Sequence, residues 1–196
     1  MIKMEEKTEK MKIKGVAIKA TKEFIVGKFG EDGFERWLKN LSPEAREVYS
    51  SKILPSVWYP LTKIGSEPRQ KICDLFYNGD PRGCIDLGIY SAKFSLTGIY
   101  KVFIKIATTD YLIKKVSQVT SLYYHPSRYV VKSRENDRIV IHIEEFPEPH
   151  KAIEYTNLGY IKGALELCGY KDIKTELTTS LASGDRYTEL IIRIKQ

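Results

Sequence analysis

The chain has 196 residues, of which 42% are hydrophobic and 29% are charged, and this composition predicts one soluble globular domain of ordinary size. The net charge of +7 is spread over most predicted elements without a nucleic-acid-binding motif, so we predict no nucleic-acid partner. No apolar run of about eighteen residues occurs, which predicts no membrane span. The cysteines form no CxxC pair, which predicts reduced thiols and a cytoplasmic protein.

The N-terminal part of the chain predicts a short strand followed by helices. Residues 1–11 are rich in charge and are predicted to be disordered, so a single domain should comprise residues 12–196. The alternation in KIKGVAI, residues 12–18, predicts the strand. Helical spacing then runs to Gly30 as a helix stop and resumes in EDGFERWLKNL. Ser42 and the proline after it predict the start of a further helix.

The middle of the chain predicts a central helix. Residues 80–107 form the most apolar stretch, and apolar side chains cover most of the predicted helix circumference, which indicates a largely buried helix. Gly88 and Gly98 inside it allow another backbone, or a ligand, to come close. Thr109 and Asp110 then predict the start of one more helix, which ends in SLYY.

The last third of the chain has the period of β-strands around one helix. Residues 128–146 predict an antiparallel hairpin, a helix follows up to Gly169, and a second hairpin ends the chain. Gly159 and Gly163 lie on one face of this helix and permit close packing against another element. This order predicts an α+β fold, in which a layer of about five or six helices packs on an antiparallel sheet with a C-terminal β-β-α-β-β unit.

The sequence contains no constellation that would support catalysis. Glycine-rich phosphate loops, the GxSxG nucleophile elbow and the HExxH metal motif are all absent from it. We therefore predict a protein that is not an enzyme and has no metal site. His125, in SLYYHPSRY, is the histidine best placed to bind a metal or haem iron. We favour a simpler interpretation, in which it lies at the C-terminal end of a helix beside the negative end of the helix dipole.

Four blocks of sequence, KGVAIKATKEFIVGKFGEDGFERWL, LPSVWYPL, LGIYSAKFSLTGIYKVFIKIA and SLYYHPSRYVV, resemble an uncharacterised bacterial family known as a set of paralogues in myxobacteria. The second half resembles the four-vinyl-reductase type of domain. That resemblance implies a small-molecule-binding domain, a homodimer, with an apolar pocket between helices and sheet. Some members bind zinc through C-terminal cysteines. Ser180 and Thr188, which face each other in the last hairpin, stand at two of those positions, so the resemblance implies a relative that has lost the metal.

The first of these blocks also resembles the start of haem-based nitric-oxide and oxygen sensors. Those sensors use a YxSxR motif on the haem propionates, and this chain has YHPSR, with a different spacing, at residues 124–128. This resemblance implies a haem-bound gas sensor with His125 as the axial ligand.

We predict a non-enzymatic small-molecule-binding or sensory domain without a cofactor, whose partner is an apolar or aromatic molecule held between helices and sheet. Aromatic side chains on and near the central helix are predicted to line the pocket. These ligand-binding residues are Trp58, Tyr59, Tyr90, Phe94, Tyr100 and Tyr123. Two alternatives stay open: a haem-dependent gas sensor that uses His125, and a ligand-free dimerising interaction scaffold.

Overall fold

The computed structural model describes residues 10–96, 122–135 and 137–194. A layer of helices precedes an antiparallel sheet, which confirms the predicted α+β class and its C-terminal β-β-α-β-β unit. The elements are β1 (Lys12–Lys14), α1 (Gly15–Lys39), α2 (Pro43–Ser50), β2 (Trp58–Pro60), a π-helical turn (Leu61–Ser66), α3 (Glu67–Phe76), a 3-10 turn (Pro81–Gly83), α4 (Cys84–Leu96), β3 (Tyr124–His125), β4 (Arg128–Glu135), β5 (Arg138–Glu145), α5 (Lys151–Leu167), β6 (Ile173–Thr179), a 3-10 turn (Leu181–Ser183) and β7 (Thr188–Ile194). The predictions for Gly98, Tyr100, Thr109 and Asp110 lie outside the described residues.

The first strand is shorter than its alternating pattern predicts, because helix α1 already begins at Gly15. A β-carbon at Gly15 would lie 2.0 Å from the carbonyl oxygen of Leu54, so a residue without a side chain is needed where the chain enters the helix. The predicted helix stop at Gly30 is a kink within α1. Its φ of 72° is a left-handed value, which favours glycine and separates the two predicted helical segments.

A three-stranded antiparallel sheet has the order β2-β1-β3. It pairs Lys12 with Pro60 on one side and with His125 on the other. His125 therefore lies in a strand rather than at the end of a helix. The backbone explains this placement, because the N–H of Lys14 donates to the carbonyl of Tyr123 at 2.8 Å and holds the segment against β1.

The four-stranded sheet has the order β4-β5-β7-β6, with every neighbouring pair antiparallel. Successive residues of a strand point to opposite faces, so Ile141 and Ile143 are buried while His142 lies on the other face. Leu190 and Ile192 of β7 are fully buried beside them. One face of the sheet is thus part of the core, as the alternation in the sequence predicts.

Helices α4 and α5 pack with their backbones in direct contact. A β-carbon at Gly88 would lie 2.1 Å from the carbonyl oxygen of Thr156, and one at Gly159 would lie 2.1 Å from that of Ile85. Gly163 meets the backbone of α4 one turn further along, where a β-carbon would lie within 2.9 Å of it. The close packing that the glycine spacing predicts is therefore confirmed, and it occurs between two helices of one chain.

Two large buried side chains anchor the helical layer to the start of α3. The indole nitrogen of Trp37 donates to the carbonyl of Pro68 at 2.9 Å, and the hydroxyl of Tyr49 donates to that of Ile64 at 3.1 Å. Both side chains are fully buried. Within the described ranges, no helix combines the length and the hydropathy that crossing a membrane requires.

Candidate functional site

Helices α1 and α4 flank an open groove of about 430 Å³. This volume falls within the range of about 300–1,000 Å³ that is usual for small-molecule sites. Side chains of both helices form the lining, which includes Phe24, Gly27, Lys28, Asp86, Tyr90 and Lys93. We call this feature the α1–α4 groove.

One wall of the α1–α4 groove is aromatic. The rings of Phe24 and Tyr90 meet edge to face with their centroids 5.6 Å apart, and Phe94 stacks on Tyr90 at 6.2 Å. Phe29 extends the cluster on the α1 side, 5.9 Å from Phe24. Aromatic pairs in these geometries hold one another in place. The groove therefore offers a fixed apolar surface to a ligand.

An ion pair lies beside the aromatic wall of the groove. The ammonium of Lys28 binds the carboxylate of Asp86, which also accepts a hydrogen bond from the hydroxyl of Tyr77 at 2.9 Å. Burial alone would raise the pKa of Asp86, but the hydrogen bonds from Lys28 and Tyr77 outweigh it and hold that pKa below its usual value. Asp86 is therefore ionised at neutral pH, and the groove combines an apolar wall with a charged rim.

The predicted pocket residues lie in three different places. Tyr90 lines the α1–α4 groove and Phe94 stacks on it from outside the lining, whereas Tyr123 lines a separate cavity. Trp58 and Tyr59 lie in β2, where Trp58 is partly exposed and the ammonium of Lys14 sits 4.2 Å from its ring centroid. Tyr100 lies outside the described residues.

The sequence prediction missed the contribution of helix α1 to the groove. Phe24, Gly27 and Lys28 are spaced as neighbours on one face of a helix, and this spacing is the signal that could have found them. Asp86 is distant from them in sequence and gives no comparable signal. Its part in the site depends on the packing of α4 against α1.

The second cavity, of about 30 Å³, lies between α1, α3, α4 and α5. Its lining includes Ala17, Arg69, Ser91, Ser95, Tyr123 and Tyr160. Three hydroxyls form a chain there: Ser95 Oγ is 3.1 Å from the hydroxyl of Tyr160, which donates to that of Tyr123 at 3.2 Å. Burial raises the pKa of Tyr160 well above its usual value, so this hydroxyl stays neutral. We call this feature the Arg69 cavity.

The last hairpin surrounds the buried side chain of Glu154. Ser180 Oγ donates to Glu154 Oε2 at 2.6 Å, and Thr188 Oγ1 donates to Glu154 Oε1. The backbone N–H of Ala182 donates to the same carboxylate at 3.1 Å. Glu154, which the sequence prediction missed, thus satisfies the two hydroxyls from α5. In the described part of the chain, no group of three or more His, Cys, Asp or Glu residues is arranged to hold a metal ion.

The three histidines of the chain all lie in described residues. His125 is exposed on β3, His142 pairs with Glu189 at 2.8 Å, and His150 caps α5 by accepting a backbone hydrogen bond through Nδ1. Burial lowers the pKa of His150, which keeps that ring neutral. None of the three lines the α1–α4 groove or the Arg69 cavity.

Solved structures share the fold of this chain. An H-NOX protein from S. oneidensis in the Fe(II)NO ligation state matches with a TM-score of 0.72 and 16% identity, covering 94% of this chain and 100% of that chain. An Fe(II) unliganded H-NOX protein from K. algicida matches with a TM-score of 0.64 and 13% identity, covering 94% and 97%. A third structure, described as showing how protein-induced porphyrin distortion modulates the haem redox potential, matches with a TM-score of 0.62 and 16% identity. The match covers 94% of this chain and 100% of that chain.

The chain therefore has a fold similar to that of H-NOX proteins, over 94% of its length. No protein-family model and no curated protein matches the sequence. The expected likeness to haem-based sensors is confirmed at the level of the fold. The resemblances to the myxobacterial paralogues and to four-vinyl-reductase domains stay expectations.

Proposed function

We propose that this protein is a sensory domain, which binds a small ligand and passes the signal to a partner protein. The observation that carries the proposal is the likeness in fold to H-NOX proteins, which extends over 94% of the chain. Those proteins were solved in the Fe(II)NO state and in the unliganded Fe(II) state. The α1–α4 groove supports a binding role. Two ligands fit this proposal, and each is favoured by a different observation.

The first candidate ligand is haem, and the comparisons favour it. No histidine lines the α1–α4 groove or the Arg69 cavity, so neither of them offers haem a histidine ligand. Arg128, in the motif that resembles the propionate-binding one, already pairs with Glu144 at 2.8 Å and with Glu145 at 2.7 Å. His125 is exposed on β3 and is the histidine we test as an axial ligand.

The second candidate ligand is an apolar or aromatic molecule in the α1–α4 groove. The Phe24 and Tyr90 rings give it an apolar wall, and the ammonium of Lys28 stands 5.6 Å from the Phe24 ring centroid. A ring that carries one hydrogen-bonding or acidic group matches this arrangement, since its apolar part meets the aromatic wall and its polar part meets the ion pair. This candidate needs no iron ligand.

The absorbance spectrum of the protein as purified, and again after titration with haemin, tests the haem candidate. A Soret band that follows the protein stoichiometrically and is lost in His125→Ala would establish haem bound through His125. A band that survives in His125→Ala would place the axial ligand elsewhere in the chain. The absence of a band under both conditions would exclude haem.

Native mass spectrometry and binding of anilinonaphthalene sulfonate, an aromatic anion that fluoresces in apolar sites, test the groove. Gly27 is the position to change, because a β-carbon added there has no atom within 4 Å. Gly27→Leu should fill the groove without disturbing the fold and should abolish the fluorescence, whereas Gly27→Ala should keep most of it. Equal binding by both variants would mean that the probe does not occupy the groove.

The sensory proposal fails if the protein shows no Soret band and no groove binding that depends on Gly27. The dimerising scaffold would then be the better interpretation, and it stays a prediction here. Sedimentation of the purified protein tests it directly, because a scaffold of this kind requires a stable oligomer that holds no small molecule.

A further inference from the structure

We propose that the Arg69 cavity binds a small planar oxyanion of the carboxylate or nitrate class. The side chain of Arg69 has 0% exposure, and no carboxylate pairs with it among the residues that the structure describes. A buried charge is stable in a protein only when it is paired or fully hydrogen-bonded. The cavity beside this guanidinium is the place where a compensating negative charge would go.

The hydrogen bonds of Arg69 do not satisfy it. One terminal nitrogen donates to the carbonyl of Gly65 at 2.9 Å, and the other reaches the carbonyl of Ala17 only at 3.5 Å. Its Nε has no partner among the described residues. A guanidinium carries five N–H donors, and the described residues accept from two of its nitrogens only. Both acceptors are neutral carbonyls, so no counter-ion for this charge is found in the described part of the chain.

Ser91 provides an independent sign of a ligand in the same cavity. Its side chain is 7% exposed, lines the cavity, and its hydroxyl has no partner among the described residues. The neighbouring hydroxyls of Ser95, Tyr123 and Tyr160 bond to one another and leave Ser91 out of their chain. Buried hydroxyls are normally hydrogen-bonded. Arg69 and Ser91 both line this cavity. A single anion bound in it could accept hydrogen bonds from both side chains.

The size of the cavity selects the class of ligand. Its 30 Å³ corresponds to the space of roughly two water molecules. Formate, acetate, nitrite and nitrate, with three or four non-hydrogen atoms, match this space and carry one negative charge. A planar oxyanion also matches the planar fork of a guanidinium, which binds two oxygens side by side. Water would fill the space but would not neutralise the charge.

The Arg69 cavity is separate from the α1–α4 groove. Ser91 and Ser95 of α4 face the cavity, whereas Asp86 and Tyr90 of the same helix line the groove. The proposal for the anion therefore does not depend on the ligand of the groove. Either site can be present while the other is absent.

Thermal unfolding in rising concentrations of sodium formate, acetate, nitrate and chloride tests the proposal. Each salt is compared with sodium chloride at the same concentration, which matches the sodium concentration and the ionic strength. We expect a saturable rise in Tm of about 5 °C with at least one planar oxyanion, and a smaller effect of chloride. Isothermal titration calorimetry of that anion gives the stoichiometry, expected to be one per chain.

Two variants and one control locate the site. Ser91→Ala, which should fold because it only removes a hydroxyl, should weaken binding about tenfold. Arg69→Met, which keeps the length of the side chain without its charge, should abolish the response. Arg82→Met changes an arginine that is 71% exposed and pairs with Asp80, so it should respond like the wild type.

Some results would overturn the proposal. These are the same response in wild type and in Ser91→Ala, a response to chloride alone, or no response to any of the four anions in the wild type. The last result would mean that the cavity holds water only. If Arg69→Met does not fold, Ser91→Ala still decides, because the Ser91 hydroxyl has no hydrogen-bond partner to lose among the described residues.

Discussion

The contact between α4 and α5 makes a sharp prediction about Gly159. A β-carbon added there would lie 2.1 Å from the carbonyl oxygen of Ile85 and 2.8 Å from its Cα and carbonyl carbon. All three atoms are backbone, so no side-chain rotation can relieve the overlap. Ordinary contact begins near 3.4 Å, and the two helices would have to move apart by roughly an ångström.

The expected cost of Gly159→Ala follows from two opposing effects. Overpacking of this kind costs about 1–3 kcal/mol or more, and the separation also weakens the contacts of Gly88 and Gly163 along the same seam. Alanine favours a helix over glycine by about 1 kcal/mol. We expect a net loss of about 2–3 kcal/mol in the free energy of unfolding, which lowers Tm by roughly 5–10 °C.

Urea unfolding followed by circular dichroism measures this loss, with Gly27→Ala as the matched control. Gly27 also lies in a helix, and a β-carbon there meets nothing within 4 Å. Only the helix-propensity gain should remain in that variant, so it should be stabilised by about 0.5–1 kcal/mol. If Gly159→Ala is as stable as Gly27→Ala, the backbones of α4 and α5 are not in contact and the reasoning is wrong.

Two further predictions concern buried polar groups. Glu154→Gln should lower the free energy of unfolding by about 2 kcal/mol. The carboxylate accepts hydrogen bonds from Ser180, Thr188 and a backbone N–H, whereas an amide accepts more weakly and carries donors of its own. Urea unfolding measures the loss, and an unchanged midpoint would refute the prediction. Burial raises the pKa of Tyr49 to about 12 from an ordinary value of 10.0. The folded state therefore keeps a proton that the unfolded chain releases, and stability should fall by roughly 3 kcal/mol as the pH rises through this window. Unfolding midpoints across that range should fall less steeply in Tyr49→Phe, and an identical slope would contradict the assignment.

Local patterns predict a large part of this fold. The two hairpins and the helix between them follow from alternation and turn residues, so the α+β class is evident from the sequence alone. Gly159 and Gly163 are likewise informative, because glycines four residues apart in a helix have few purposes other than close approach. The kink at Gly30 is visible for a different reason, because its left-handed φ of 72° favours glycine. In each case the physical cause acts within a few residues along the chain.

The parts that sequence reasoning missed depend on contacts between distant segments. Nothing local distinguishes Arg69 from the other arginines, although it is fully buried, because burial of a charge is decided by the elements that close around it. The role of Glu154 could not be predicted from its local sequence either, because its partners Ser180 and Thr188 belong to the last hairpin. Of the predicted aromatic residues, Tyr90 lines the groove, and its role in ligand binding stays a prediction. Trp58, Tyr59 and Tyr123 lie elsewhere, because a ring in a core and a ring in a pocket have the same sequence pattern.

Helix α4 links the two candidate sites, and its packing determines how they would communicate. On one side Gly88 locks α4 to α5 through backbone contact, which leaves no room for sliding. On the other side α4 meets α1 through side chains, namely the edge-to-face contact of Phe24 with Tyr90 and the ion pair of Lys28 with Asp86. A ligand in the α1–α4 groove would therefore move α4 and α5 together, relative to α1 and its Ala17 carbonyl. That carbonyl is one of the two acceptors of Arg69. Ligand binding in the groove should therefore change the affinity of the Arg69 cavity for an anion. By thermodynamic linkage, the anion should change the ligand affinity of the groove by the same factor.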